Sequence, residues 1–264
     1  MIENRFDPGP NDRVATTTVT SFRLLEALYR LGGATARELA TELDLAVGTV
    51  YKHLNTLQGL HYVVKDGSVY HLGLGFLGVG VAARARSGLY ELTHEPLAEL
   101  AETARGVASV VLPEHGYGVY LSQIVPPDAQ SPPHHEGERV YLHATAGGKA
   151  ILAFRPPAEV DRWLDVWGLP AVTEATVTDR ERLQRELQSI RDRRFASSRG
   201  EDFEDWFSVA MPITDEDDLA VGAVCLGTPL DRVDSSSDAD RFKSLIINAA
   251  VSMENRIGST DETE

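Results

Sequence analysis

Thr35-Ala-Arg-Glu-Leu-Ala-Thr-Glu-Leu-Asp-Leu-Ala-Val-Gly-Thr-Val-Tyr-Lys-His-Leu54 is the stretch on which the fold turns. Thr35-Ala-Arg-Glu38 is a capping box, whose threonine hydroxyl and glutamate carboxylate satisfy free amides at the start of a helix carrying Leu39, Ala40 and Leu43. A short turn at Asp44 to Ala46 follows, and Val50, Leu54 and Leu57 then share one face of a second helix that ends at Gly59. Two helices joined so tightly form a helix-turn-helix, whose second helix lies in the DNA major groove with its exposed N-terminal residues against base edges.

Upstream, Phe22, Leu25, Leu28 and Leu31 recur every three residues and predict a helix that stops at Gly32-Gly33. Downstream, Tyr62-Val-Val-Lys65 and Ser68-Val-Tyr-His71 flank Asp66-Gly67, a strong hairpin signal. Three helices and a hairpin make residues 18–73 a winged helix-turn-helix. Residues 1–17 are polar, with Pro and Gly, and are expected to be a flexible arm, structure beginning near Val19. Residues 74–88, rich in Leu, Val, Ala and Gly, are expected to form a linker helix able to pack on a second copy.

With Val50, Leu54 and Leu57 turned inward, the outward set is Val47, Gly48, Thr49, Tyr51, Lys52, His53 and Asn55. Lys52 can donate to guanine, Thr49 or Asn55 can reach bases or phosphate, Val47 can touch a thymine methyl, and Tyr51 can bond a phosphate. Lys65 at the wing and Arg37 early in the preceding helix are expected phosphate contacts. Such a module could also serve protein contact alone, but turn, capping box and wing together favour DNA.

The rest of the chain changes pattern. Pro96 is expected to open a helix bearing Leu97, Leu100, Ala101 and Ala104. Strands are expected at residues 107–112 and 119–125 around a Gly116-Tyr-Gly118 turn, with a loop from Pro126 to Glu138. Helices at 159–167 and 181–193, strands at 208–213 and 219–227, and a last helix at 239–256 complete residues 89–258, with 259–264 a flexible tail. This order predicts an α+β domain with a mainly antiparallel sheet.

At 264 residues the chain exceeds the usual single domain, and 42% hydrophobic with 25% charged residues excludes general disorder. It has no apolar run long enough to span a bilayer, and Met1 to Pro10 carries charges where a signal peptide is apolar, so a cytoplasmic protein is expected. Cys225 is the single cysteine, which excludes an internal disulfide and a multi-cysteine zinc site. The net charge of −15 is uneven: residues 1–88 carry 9 Lys+Arg against 8 Asp+Glu, leaving the excess acid to the remainder. A nearly neutral head can approach a polyanion that the acidic body repels. Only Lys52, Lys65, Lys149 and Lys243 are lysines, and abundant carboxylate with scarce lysine suggests a halophilic, salt-rich cytoplasm.

Leu142-His-Ala-Thr-Ala-Gly-Gly-Lys-Ala-Ile-Leu-Ala153, Ser208-Val-Ala-Met-Pro-Ile-Thr-Asp215 and Ala223-Val-Cys-Leu-Gly-Thr-Pro-Leu-Asp-Arg232, together with Gly48-Thr-Val-Tyr-Lys-His-Leu54, resemble the IclR family of transcriptional regulators from about Val19 to Ile257. The resemblance implies a dimer or dimer of dimers on palindromic operators, regulating catabolic genes, and a GAF-like C-terminal domain that binds a small metabolite. By position it implies a pocket formed by Ala146, Gly147, Gly148, Ser198, Glu201, Ser208, Cys225 and Gly227. Some members have an acidic residue at the place of Ser198, a cysteine at that of Ser208 and serines at those of Cys225 and Gly227, so no relative's ligand transfers. Arg199, pointing inward, would favour a carboxylate or phosphate.

The residues themselves support a sensor. Alternation puts Val221, Ala223, Cys225 and Gly227 on one side of a strand, where small side chains leave room for either a cavity or a close-packed helix. Ala146-Gly-Gly148 puts backbone amides at a helix start, where an anion such as a carboxylate is favoured, although a glycine turn serving only packing has the same sequence. The run is no P-loop, because Ala150 stands where Ser or Thr is required. His143 fits a packed structural role. His134-His135 with Glu136 and Glu138 could approach a metal, but adjacent histidines in an extended loop point apart, so no metal, cofactor or catalytic residue is expected. Two rival readings are a metabolite-processing enzyme and a DNA-binding oligomer that senses nothing.

Overall fold

The computed structural model describes residues 14–233 and 236–261, and the chain divides into two compact units, Met1–Arg86 and Ser87–Glu264. In the first, α1 (Thr16–Leu31) buries Leu24, Leu25, Ala27 and Leu28. Phe22 and Leu31 are exposed, because a strict three-residue spacing drifts off one face of a 3.6-residue helix. α1 starts inside the expected arm, whose first 13 residues lie outside the described ones. β1 (Ala34–Thr35) leads into α2 (Ala36–Glu42), where Thr35 N donates to Glu38 Oε2 at 2.7 Å and Glu38 N to Thr35 Oγ1 at 3.3 Å, the expected capping box.

Asp44, with φ of +50°, turns the chain into α3 (Val47–Gly59). β2 (Val63–Asp66) and β3 (Val69–Leu72) form the wing, and the sheet runs β1-β3-β2. Asp66 pairs with Val69, so the two-residue loop is Gly67-Ser68, one position later than expected, with Gly67 supplying the positive φ. Leu24, Leu39, Val50 and Leu54 are fully buried at the centre. α4 (Gly75–Ala85) buries nothing, and Leu74 and Leu77 are 87% and 65% exposed.

The second unit is built on a six-stranded antiparallel sheet, ordered β6-β5-β4-β9-β8-β7. Its strands are β4 (Val107–Glu114), β5 (Tyr117–Ile124), β6 (Arg139–Tyr141), β7 (Ala196–Arg199), β8 (Trp206–Thr214) and β9 (Ala220–Pro229). One face packs against α6 (Ala146–Ala153), α7 (Pro157–Trp167) and α8 (Arg180–Arg193) through Ile151, Leu164, Leu183 and Ile190. The other packs against α5 (Leu89–Ala104) and α9 (Ser236–Asp261) through Leu97, Leu100, Ile246 and Met253.

Several expectations are corrected here. Pro96 lies inside α5, which starts after the left-handed Gly88, because burial of Thr93, Pro96 and Leu97 together outweighs the one lost helical bond. The β4–β5 turn is His115-Gly116, both with positive φ, so Tyr117 and Gly118 belong to the strand. Short edge strands β6 and β7 had no hydrophobic run to announce them. A bulge beside Thr214 turns Val221 to the α5 and α9 face, away from Ala223 and Cys225. α9 runs to Asp261 and so takes in the first three residues of the expected tail, whose last residues lie outside the described ones.

Candidate functional site

On the first unit, α3 exposes Val47, Gly48, Thr49, Tyr51, Lys52 and Asn55 on one surface while Val50, Leu54 and Leu57 hold it to the core. Val47 and Tyr51 are 39% and 45% exposed. His53 departs from this set: its Nδ1 lies 2.8 Å from Ser21 Oγ of α1, so it fastens the two helices together. Lys65 stands on the wing with its ammonium 5.1 Å from the Tyr70 ring centre, and Arg37 is exposed on α2.

In the second unit a cavity of about 40 Å³ lies where α6 meets the sheet. That is room for about three water molecules. Thr145 caps α6, its Oγ1 accepting from Gly148 N at 3.0 Å, and Ala146 and Gly147 at the helix start form part of the wall. Ser109 of β4, Tyr120 and Gln123 of β5, Ser198 of β7, Ser208 of β8, and Cys225 and Gly227 of β9 complete it. The small residues on β9 serve both purposes foreseen for them. A Cβ at Gly147 would meet Cys225 Sγ, so the helix packs closely, and the cavity lies alongside. Burial pushes the Cys225 thiol up to about 12, against a hydrogen bond from Ser109, so this thiol is protonated and a poor nucleophile.

The mouth is formed by Pro132, Pro133 and His134 on one side and Asp202 and Phe203 on the other. His134 Nε2 donates to Asp202 Oδ2, and His134 Nδ1 lies 3.2 Å from Glu138 Oε1. Burial pulls the imidazole pKa down, but the bond to Asp202 and the charges of Asp202 and Glu138 more than reverse this and raise it to about 9, so it is an imidazolium at neutral pH. Burial likewise opposes ionisation of Glu138, and His134 overturns it, holding that carboxyl below its ordinary value.

Behind the wall Lys149 is fully buried, its Nζ donating to Glu186 Oε1 at 2.6 Å and to Glu201 Oε1 and Oε2 at 2.7 and 2.9 Å. Glu201 is therefore no wall residue: its carboxylate faces the lysine, and burial raises its pKa despite that cation. Gly148 is also behind the wall, where a Cβ on it would run into the Leu142 backbone. Arg199 points outward, since β7 alternates with Ser198 inside and Arg199 exposed. His143 is buried with its Nε2 3.0 Å from Pro170 O, and burial lowers its pKa, as fits a packed structural role.

Ala146, Gly147, Ser198, Ser208, Cys225 and Gly227 thus come together, while Gly148, Arg199 and Glu201 do not line the space. Sequence reasoning missed Ser109, Tyr120, His134 and Asp202 as wall groups. Reading Ala196-Ser-Ser-Arg199 as an alternating strand was the available signal for the inward Ser198 and outward Arg199. Among the described residues, no group of three or more His, Cys, Asp or Glu side chains could hold a metal ion, and no helix is long and apolar enough to cross a membrane.

Comparison with known proteins fits both units. Residues 20–67 match the IclR helix-turn-helix domain, and residues 81–255 match the family described as bacterial transcriptional regulator IclR C-terminal. The chain is 27% identical to the probable HTH-type transcriptional regulator ArcR of Halobacterium salinarum, over 93% of this chain and 95% of that one. It is 30% identical to the HTH-type transcriptional regulator BhcR of Paracoccus denitrificans, over 86% and 82%. An IclR homologue from Microbacterium hydrocarbonoxydans, solved in complex with 4-hydroxybenzoate, shares the fold with a TM-score of 0.77 at 19% identity, covering 92% of this chain and 99% of that one. The family and these relatives are regulators, not enzymes. The chain belongs to the IclR family of transcriptional regulators, a helix-turn-helix unit followed by an effector-binding domain.

Proposed function

We propose that this regulator grips palindromic operator DNA as a dimer or dimer of dimers in the cytoplasm and controls catabolic genes in response to a small carboxylate held in the cavity at α6. The observation that carries the reading is the cavity itself, walled by the first two residues of α6, Ala146 and Gly147. Amides at those positions have no helical carbonyl to bond, and the helix dipole favours an anion beside them. Ser109, Ser198 and Ser208 supply hydroxyls for further polar groups of the ligand. The homologue that holds 4-hydroxybenzoate, itself a carboxylate, supports the same class of ligand.

On the DNA side, Lys52 with Thr49 and Asn55 reads base edges, Val47, Gly48 and Tyr51 lie against the groove walls, and Lys65 and Arg37 hold phosphates. His53 positions α3 rather than touching DNA. The exposed apolar side of α4, with Leu77 and Val81 and with Leu74 just before the helix, suits a second copy of the chain. A nearly neutral head that relies on fit more than on charge suits a salt-rich interior.

Genome-wide mapping of bound sites, followed by thermal-shift screening of 4-hydroxybenzoate, sugar acids and short organic acids, tests the reading. Palindromic sites and at least one acid that raises the unfolding temperature are expected, because a ligand of the native state stabilises it by mass action. By linkage that acid must also bind with altered affinity when operator is present. Operator binding with no stabilising acid in a broad panel would leave a DNA-binding oligomer that senses nothing.

A further inference from the structure

The two loops at the cavity mouth are held very differently. The β7–β8 loop is fixed from behind: Glu201 grips the buried Lys149, Thr173 Oγ1 donates to Gly200 O at 2.6 Å, Thr176 Oγ1 donates to Glu201 O at 2.6 Å, and Gly200 N donates to Trp206 O at 2.9 Å. The opposite loop, residues 125–138, is tied down mainly near its end, where Gly137 N donates to Tyr120 O at 2.8 Å and Tyr120 N to Glu138 O at 3.1 Å. Among the described residues, Gln130 to Pro133 make no hydrogen bond. What holds this segment over the cavity is His134, stacked on Tyr120 with ring centres 5.4 Å apart and bonded to Asp202.

We propose that Pro132–His134 is a strap latched to Asp202, and that the latch must open before an effector enters or leaves the cavity. This rests on the reading of the cavity as the effector site and adds how access to it is governed. Room for about three water molecules is too little for an aromatic or sugar acid, so the closed arrangement excludes the ligand it is built to receive. The fixed loop keeps Asp202 in place, and the strap carries the moving partner. The groups facing His134 are Asp202 on the fixed loop, Glu138 on its own segment and Tyr120 on β5, whose hydroxyl burial holds neutral. Charge on the imidazole therefore decides how firmly the latch holds, and deprotonation above pH about 9 loosens it.

The chain's single thiol makes the opening measurable without a known effector. Cys225 lies in the cavity wall and is 7% exposed, so lifting the strap is expected to speed a thiol reagent's access to it. Labelling of the full-length protein by methyl methanethiosulfonate is expected to run roughly tenfold or more faster in Asp202→Asn and His134→Gln, the scale set by losing a charge-assisted hydrogen bond. N-ethylmaleimide, being larger, is expected to gain by a greater factor. Asp165→Asn, which weakens the Arg180 pair on α7, is the control and is expected to label at the wild-type rate.

Thiolate ionisation alone raises the rate about tenfold per pH unit below the thiol's pKa, so wild type is expected to climb more steeply than that near pH 9, and His134→Gln is not. Unchanged labelling in both latch variants overturns the proposal. So does a gain no larger than each variant's loss of global stability in denaturant, which would place the labelling in unfolded chains. Failure to find an effector leaves these rates untouched, so the strap and the sensing role stand or fall separately.

Discussion

In the N-terminal unit the candidate residues are exposed, most of them on one helix between residues 47 and 55 with Arg37 on α2 and Lys65 on the wing beside it, whereas in the C-terminal unit they face an interior and come from a helix start, strands and loops between residues 107 and 227. The two arrangements fit two kinds of partner. A groove of DNA is wider than a helix and must be entered, so its reader projects outward from a core that only has to keep it rigid. A small molecule must be enclosed, so the site proposed for it is the place where the packing of one helix on a sheet is left incomplete. Mutations should therefore damage stability in the second unit and recognition in the first.

The largest effect is expected from Lys149→Ala, which leaves Glu186 and Glu201 facing each other without their buried cation. Breaking such a group costs roughly 3–5 kcal/mol, read from denaturant unfolding, whereas a loss under 1 kcal/mol would show that the site tolerates charge without its partner. Next comes pH. The His134 pKa is raised to about 9, so its contribution is fully present below 6.5 and is lost as pH rises through about 9. That contribution is about 3 kcal/mol as an order of magnitude, and His134→Gln should flatten the alkaline limb of a stability profile. His143 acts at the other end: its pKa is lowered, so stability is lost as pH falls below its ordinary value of 6.5.

Recognition should respond to smaller changes. Lys52→Ala is expected to weaken binding to the preferred operator by about 1–3 kcal/mol relative to random DNA, measured by titration of labelled duplexes. Lys65→Ala should weaken both equally and reduce the salt slope by about one. Equal behaviour of the two variants would remove the distinction between recognition helix and wing. The smallest effect is Thr35→Ala, which removes the capping box of α2 at a cost of about 1 kcal/mol in the melting of the first unit, with operator preference retained.

Legibility in the sequence followed the same divide. Capping box, turn, recognition helix and hairpin are all set by neighbours within a few positions, so the first unit was readable almost residue by residue. Phe22 and Leu31 drift off the buried face of α1, the hairpin loop falls one position later than Asp66-Gly67, and His53 depends on how α1 sits against α3, which no local pattern states. In the second unit the order of strands and helices was readable, and so were Ala146, Gly147 and the small residues of β9. The edge strands were not, because edges need little apolar surface. His134 and Asp202 are 68 residues apart, and only tertiary structure joins them. Arg199 faces outward because of the alternation of a short edge strand, and Glu201, in the loop after it, is turned to the distant Lys149, a pairing no local pattern states.

The closeness of Gly147 to Cys225 carries a consequence for divergence. A methyl group at 147 needs the sulfur's place, whereas one at 148 needs the place of the Leu142 main chain, which has nowhere to go. Descendants of this chain should therefore keep glycine at 148 outright but exchange 147 and 225 as a couple, one growing as the other shrinks, and each such trade would reshape the floor of the chamber.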